Sequence, residues 1–294
     1  MTRWLITGAG GMLGRDLTEV LTGRGEQAVT AATRKELDVT DAAAVRAAVA
    51  GHDIVVNAAA WTDVDGAEAE EAAATRINGE GPRVLAEACA AHGAVLVQVS
   101  TDYVFPGDAA EPYPHDAPLS PVNAYGRGKL AGERAVAELL PERGYVVRTA
   151  WLYGAHGRNF VATMLDLATR RETVDVVDDQ RGQPTWTVAL ARQLAELGEA
   201  ALAGRAPAGV YHGTASGTGT WCDLARAAFE LTGLDPARVR PTTSDKFVRP
   251  APRPSYSVLA HDRWAEAGVP VQPHWRDQLA AALQVIAPQG RPSA

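Results

Sequence analysis

The chain has 294 residues, 46% hydrophobic and 21% charged, which suits one large domain or two unequal lobes and excludes a disordered chain. Twenty-eight Lys and Arg against thirty-five Asp and Glu give a net charge of −7, which argues against a nucleic-acid partner and against docking on anionic lipid. Two cysteines, Cys89 and Cys222, rule out a disulfide scaffold; with no secretory leader and no apolar run of membrane length, a cytoplasmic protein is expected.

Short apolar runs alternate with longer helical patterns through the first 150 residues. The expected strands lie over 3–7, 27–31, 53–57, 94–100 and 145–149, and the expected helices over 12–21, 41–50, 67–91 and 124–140. Strands apolar throughout are buried on both faces, which predicts a parallel sheet covered by helices on both sides. The alternation fades beyond residue 150. Strands are expected over 174–177 and 209–212, helices over 187–203, 221–231 and 275–286, a proline-broken loop over 241–257 and a frayed tail over 288–294. The predicted fold class is α/β. A Rossmann-like doubly wound parallel sheet over 1–150 binds a dinucleotide, and 151–294 mainly form a smaller C-terminal α/β substrate lobe, with some segments expected to return to the first.

Gly8, Gly11 and Gly14 follow the first strand and open the first helix. In that setting the first glycine permits the tight turn, the second lets backbone approach a pyrophosphate, and the third lets helix and strand pack. The helix N-terminus then offers unpaired N–H groups to the phosphates. After the second strand, where NAD-selective sites put an acid, the chain reads Ala31-Ala32-Thr33-Arg34-Lys35. Arg34 and Lys35 either meet a 2′-phosphate, which favours NADPH over NADH, or are exposed loop cations. Asp38 either accepts from an adenine amino group or caps the next helix, for which Asp41 is the better candidate.

Tyr125 and Lys129 form a Y-x-x-x-K pair one helical turn apart. An ammonium beside a phenol lowers its pKa, so that the tyrosine hands a proton to a carbonyl oxygen as hydride arrives at carbon. Gly126 and Gly128, poor residues for a helix interior, suggest close approach by backbone or ligand. Ser100-Thr101-Asp102-Tyr103 closes the fourth strand at the edge where such sheets bind ligands, and Asn57-Ala58-Ala59-Ala60 ends the third with small residues where a flat cofactor passes.

Together these segments resemble the extended short-chain dehydrogenase/reductase superfamily, and within it the dTDP-4-dehydrorhamnose reductase family. The resemblance rests on Asn57-Ala58-Ala59-Ala60-Trp61-Thr62-Asp63-Val64-Asp65, on Ser100-Thr101-Asp102-Tyr103-Val104-Phe105-Pro106-Gly107, on Asn123 to Gly126 with Lys129 to Glu133, on Arg148 to Tyr153, and on Gly182-Gln183-Pro184-Thr185 and Arg253-Pro254. It implies NAD(P)H-dependent reduction of the C4 keto group of a dTDP-4-dehydro-6-deoxyhexose. Tyr125 is then the proton donor, Lys129 its electrostatic partner and ribose contact, and Thr101 a group at the carbonyl. Asp102, Tyr103, Trp151 and Arg253 contact the substrate, Arg253 at the diphosphate. Gly8, Gly11, Met12 and Leu13 hold the pyrophosphate, Asp38 and Val39 the adenine, and Ala58, Ala59 and Ala60 the ring side. No metal ligand is assigned. Magnesium, which some such reductases hold between subunits near the position of Asp16, is left open, as is a homodimer. The alternatives are a sugar-nucleotide epimerase or dehydratase with tightly held NAD, disfavoured because Tyr103 stands where dehydratases carry an acid, and a non-catalytic NADP-binding regulatory subunit.

Overall fold

The computed structural model describes residues 1–25 and 27–286. Its first half runs β1 (Thr2–Thr7), α1 (Met12–Gly23), β2 (Gln27–Ala32), α2 (Ala42–Val49), β3 (Ile54–Asn57), α3 (Val64–Ala69), α4 (Glu71–Thr75), α5 (Gly81–His92), β4 (Val95–Thr101), α6 (Ala124–Leu139) and β5 (Gly144–Thr149). The central sheet is parallel, ordered β2, β1, β3, β4, β5 and then Gly209–His212 at the far edge. The order reverses between β1 and β3, so the crevice of a doubly wound sheet opens at their C-terminal ends.

Each inner strand is buried on both faces. Trp4 and Ile6 of β1 join one core with Leu13, Leu17 and Leu21 of α1, while Leu5 joins the opposite core with Val45, Val49, Leu85 and Val146. The four-residue spacing of Leu13, Leu17 and Leu21 makes α1 one apolar stripe. The helix facing it comes from the second half of the chain: Thr187–Leu202 places Leu190, Leu194 and Leu197 in the same core. Helices Phe160–Ala168, Trp221–Leu231 and Trp275–Ile286 build a second, smaller core around Tyr153, Val161, Leu224, Trp275 and Leu279.

Two expectations need correction. The single helix expected over 67–91 is broken into α3, α4, a π-helical turn over Arg76–Glu80, and α5. Pro82 has no N–H to donate, and the Gly81 N–H reaches the Arg76 carbonyl five residues back, so the α-helical ladder cannot run through. The loop expected over 241–257 is partly ordered: Val239–Thr242 pairs in parallel with Val174–Val177, and Ser244–Lys246 forms a 3₁₀ turn. Pro241 is tolerated there because the strand lies at a sheet edge. The tail expected to fray over 288–294 lies outside the described residues. Among the described residues no helix is long and apolar enough to cross a membrane.

Candidate active site

A cavity of about 930 Å³ opens at the switch point, and the glycine turn forms one wall of it. A Cβ on Gly8 would come within 2.5 Å of the Ala59 amide nitrogen, and one on Gly14 would collide with the Gly8 carbonyl, so β1, the turn and β3 close up only with glycine at both places. Gly11 caps α1 without a side-chain bond, leaving the first N–H groups of α1 free beside Met12 and Leu13. Ala58, Ala59 and Ala60 face the turn. They are held by a buried polar ladder: Thr7 Oγ1 donates to Asn57 Oδ1 (2.6 Å), Asn57 Nδ2 to Gln98 Oε1 (2.7 Å), and the Ala59 N–H to Asn57 Oδ1 (3.1 Å).

Arg34, Asp38 and Val39 form the far end of the cavity. Asp38 Oδ1 accepts from the Thr40 N–H (2.9 Å) and hydroxyl (2.8 Å), bonds that hold its pKa below the usual carboxylate range, helped by Arg76 and Arg34. Asp41 caps α2 through the Ala43 and Ala44 N–H groups.

Thr101, Asp102, Tyr103, Tyr125 and Lys129 meet at the opposite wall. Asn123 caps α6 by accepting from the Gly126 N–H, which fixes the first turn and Tyr125 with it. The rings of Tyr125 and Tyr103 stand edge to face, 6.1 Å between centroids. Burial raises the pKa of Tyr125, the Asp102 charge raises it further, and a hydrogen bond with Thr101 pulls it down. The Lys129 ammonium is not among the groups that shift it. Lys129 Nζ instead donates to the Val99 carbonyl at 2.6 Å, and burial pushes its own pKa down to about 8 while Glu133 holds it up. Glu133 lies one further turn along α6, where it pairs with Arg148 (2.8 Å) and accepts from Ser100 Oγ (2.5 Å).

Trp151 completes the wall with φ at +48°, a left-handed conformation that costs a bulky residue about 1–3 kcal/mol. Its indole stacks on Trp221 at 3.7 Å and 6°. Trp221, Arg76, His156 and Arg158 also line the cavity and were not anticipated. Trp221 comes from 70 residues further along the chain (221 − 151 = 70), and Arg76 from a helix read as unbroken.

A model of the RmlD substrate binding domain family matches residues 2–287. A dTDP-4-dehydrorhamnose reductase from Streptomyces griseus is 60% identical over 293 residues, covering 99% of this chain and 96% of the relative. A dTDP-4-keto-6-deoxy-D-glucose reductase from Streptomyces niveus is 53% identical, covering 97% of each. This chain belongs to the RmlD family. Among solved structures, dTDP-4-dehydrorhamnose reductase from Bacillus anthracis in complex with NADP superposes with a TM-score of 0.90 at 37% identity, covering 96% of this chain and 99% of that one.

Two further groups stand apart from this arrangement: Arg253, expected at the diphosphate, and Asp16, beside which magnesium was left open. Arg253 lies outside the cavity lining: it pairs with Asp65 at 3.0 Å, donates to the Ala251 carbonyl at 2.7 Å, and Arg249 approaches the same carboxylate. Asp16, Glu19 and His156 each bring one ligand atom within 4.8 Å of the others. Asp16 already accepts from the Thr187 hydroxyl, and an imidazole completes the set. Magnesium takes oxygen ligands, so this donor set does not match it.

Proposed function

We propose that the protein reduces the C4 keto group of a dTDP-4-keto-6-deoxyhexose, with NADPH preferred over NADH. The convergence of Tyr125 and Thr101 with the glycine turn on one cavity carries this reading. The dihydronicotinamide supplies hydride to the keto carbon. The free N–H groups at the start of α1 hold the pyrophosphate, and Lys129, one turn from Tyr125, holds a ribose hydroxyl. Tyr125 gives its proton to the keto oxygen, with the Thr101 hydroxyl orienting that oxygen. Asp102, Tyr103 and Trp151 contact the sugar; Arg253 reaches its diphosphate once released from Asp65. Arg34, with Arg76 beside Asp38, supplies the positive charge for a 2′-phosphate.

The test follows absorbance at the reduced-nicotinamide band with a panel of dTDP-4-keto-6-deoxyhexoses. Turnover is expected with NADPH and more slowly with NADH, the gap narrowing in Arg34→Ala. Tyr125→Phe lowers turnover by about 10²–10⁴-fold and leaves NADPH affinity within about twofold. Interconversion of sugars without net oxidation of NADPH would assign an epimerase instead.

A further inference from the structure

A left-handed backbone at a bulky residue persists only where the surroundings over-determine it, and Trp151 sits in that conformation at the cavity wall. Three contacts hold it there. The Thr185 N–H donates to the Trp151 carbonyl at 3.3 Å. Trp221 covers one face of the ring, 3.7 Å between centroids and 6° between planes. Gly182 lies against the same ring: a Cβ there would come within 2.6 Å of Trp151 Cε2 and 2.8 Å of Nε1, so only glycine lets that strand approach so closely.

Gly182 and Trp221 are parts of one device. Arg181–Gly182 pairs antiparallel with Gly219–Thr220, Gly182 opposite Gly219, and Trp221 follows directly as the first residue of its helix. Thr220 fixes that start: its hydroxyl accepts from the Asp223 N–H at 3.0 Å, while its own N–H donates to Asp223 Oδ2 at 2.9 Å. Trp221 Nε1 donates to Gln180 Oε1 at 3.1 Å, which ties the indole back to the segment that carries Gly182. Phe160 packs on Trp221 with centroids 4.7 Å apart. Two jaws hung on one short ladder thus grip the indole of Trp151.

We propose that Trp221 and Gly182 are positioning residues for sugar recognition, which preset the Trp151 indole before the sugar arrives. The proposal rests on the reductase reading, in which Trp151 contacts the sugar. Without the clamp, Trp151 would relax to an ordinary backbone conformation and its ring would sample several rotamers. Ordering it would then cost free energy at every binding event. With the clamp that ordering is complete on folding. The jaws come from residues 182 and 221, whereas the glycine turn, Arg34 and Asp38 belong to the first half of the chain, so the gain falls on the sugar and not on the cofactor.

The experiment compares the wild type with Trp221→Leu, Trp221→Phe and Gly182→Ala. It uses circular dichroism, calorimetric binding of NADPH and of a dTDP-6-deoxyhexose, and steady-state reduction of the keto sugar. Two indoles stacked face to face give an exciton couplet, which is expected in the wild type and absent from both Trp221 variants. Trp221→Leu should weaken dTDP-sugar binding and raise KM about tenfold, with kcat within about threefold and NADPH affinity within about twofold. Trp221→Phe keeps an aromatic face on Trp151 and should recover most of that loss. Gly182→Ala displaces Trp151 from the other jaw and should repeat the loss of about tenfold with Trp221 intact. A normal Gly182→Ala beside a defective Trp221→Leu would make Trp221 a direct sugar contact and overturn the positioning role. NADPH affinity falling in step with sugar affinity would make the stack a prop of the fold and overturn it equally, as would a wild type without the couplet. If no keto sugar oxidises NADPH while the dTDP-sugar still binds and the variants weaken it, the reductase reading fails alone.

Discussion

Burying Lys129 disfavours its charged form, and its pKa falls from 10.5 to about 8. Between those values the unfolded chain binds the proton and the native one does not. The cost to folding is therefore full below pH 8 and is relieved as pH rises towards 10.5. Lys129→Met removes that cost. Glu133 keeps Arg148 and Ser100 as partners, so the substitution strands no carboxylate, although the Val99 carbonyl loses its donor. Unfolding free energy at pH 7 should rise by about 1–2 kcal/mol, with the advantage shrinking towards pH 10.5, while turnover collapses. Urea melts of both proteins at pH 7 and pH 10 measure the difference; a variant less stable at pH 7 would show that the lysine is not held at a cost.

Helix α6 carries Tyr125, Lys129 and Glu133 on one face, and its glycines set how closely it lies against the rest of the wall. A Cβ at Gly126 would collide with the Tyr103 carbonyl, whereas one at Gly128 would make ordinary contact at 3.4 Å with Asn78 and Thr75. Gly126→Ala should displace the first turn and lower kcat/KM by about 10²-fold. Gly128→Ala should leave activity near normal and stabilise by about 0.5–1 kcal/mol through helix propensity. Equal loss in both variants would mean that the spacing of α6 does not control the site. The contact at Gly126 was visible in the sequence because two glycines inside a helical pattern ask for a close neighbour. The T-D-Y and Y-x-x-x-K segments were visible for a related reason, since each is contiguous and its spacing is set by one strand end or one helical turn. The direction of the Lys129 ammonium was not, because it depends on a carbonyl of β4 thirty residues away (129 − 99 = 30). The same holds for Trp221 on Trp151 and for Arg253 on Asp65, pairs that only the folded chain brings together.

The sheet order sets the reversal of connectivity between β1 and β3, and with it the place of the cavity, but the first 150 residues do not cover that sheet by themselves. One face is closed by Thr187–Leu202, and the edge beside β5 is paired by Gly209–His212. A fragment ending at residue 150 would expose Trp4, Leu17 and Leu21 where Leu190, Leu194 and Leu197 now pack. At about 2 kcal/mol for each large apolar side chain, the three left bare in the fragment are worth about 6 kcal/mol, a large share of the net stability of a domain. The unpaired edge of β5 would add an aggregation site. The fragment 1–150 should therefore be insoluble, or soluble with strong dye binding and no near-ultraviolet circular dichroism, whereas the full chain melts cooperatively. A fragment that is monomeric, cooperative and able to bind NADP would show that the nucleotide-binding half folds without the returning helix. Failure to fold would mean that the cofactor crevice and the substrate wall form in one transition, with Thr187–Leu202 as the element that couples them.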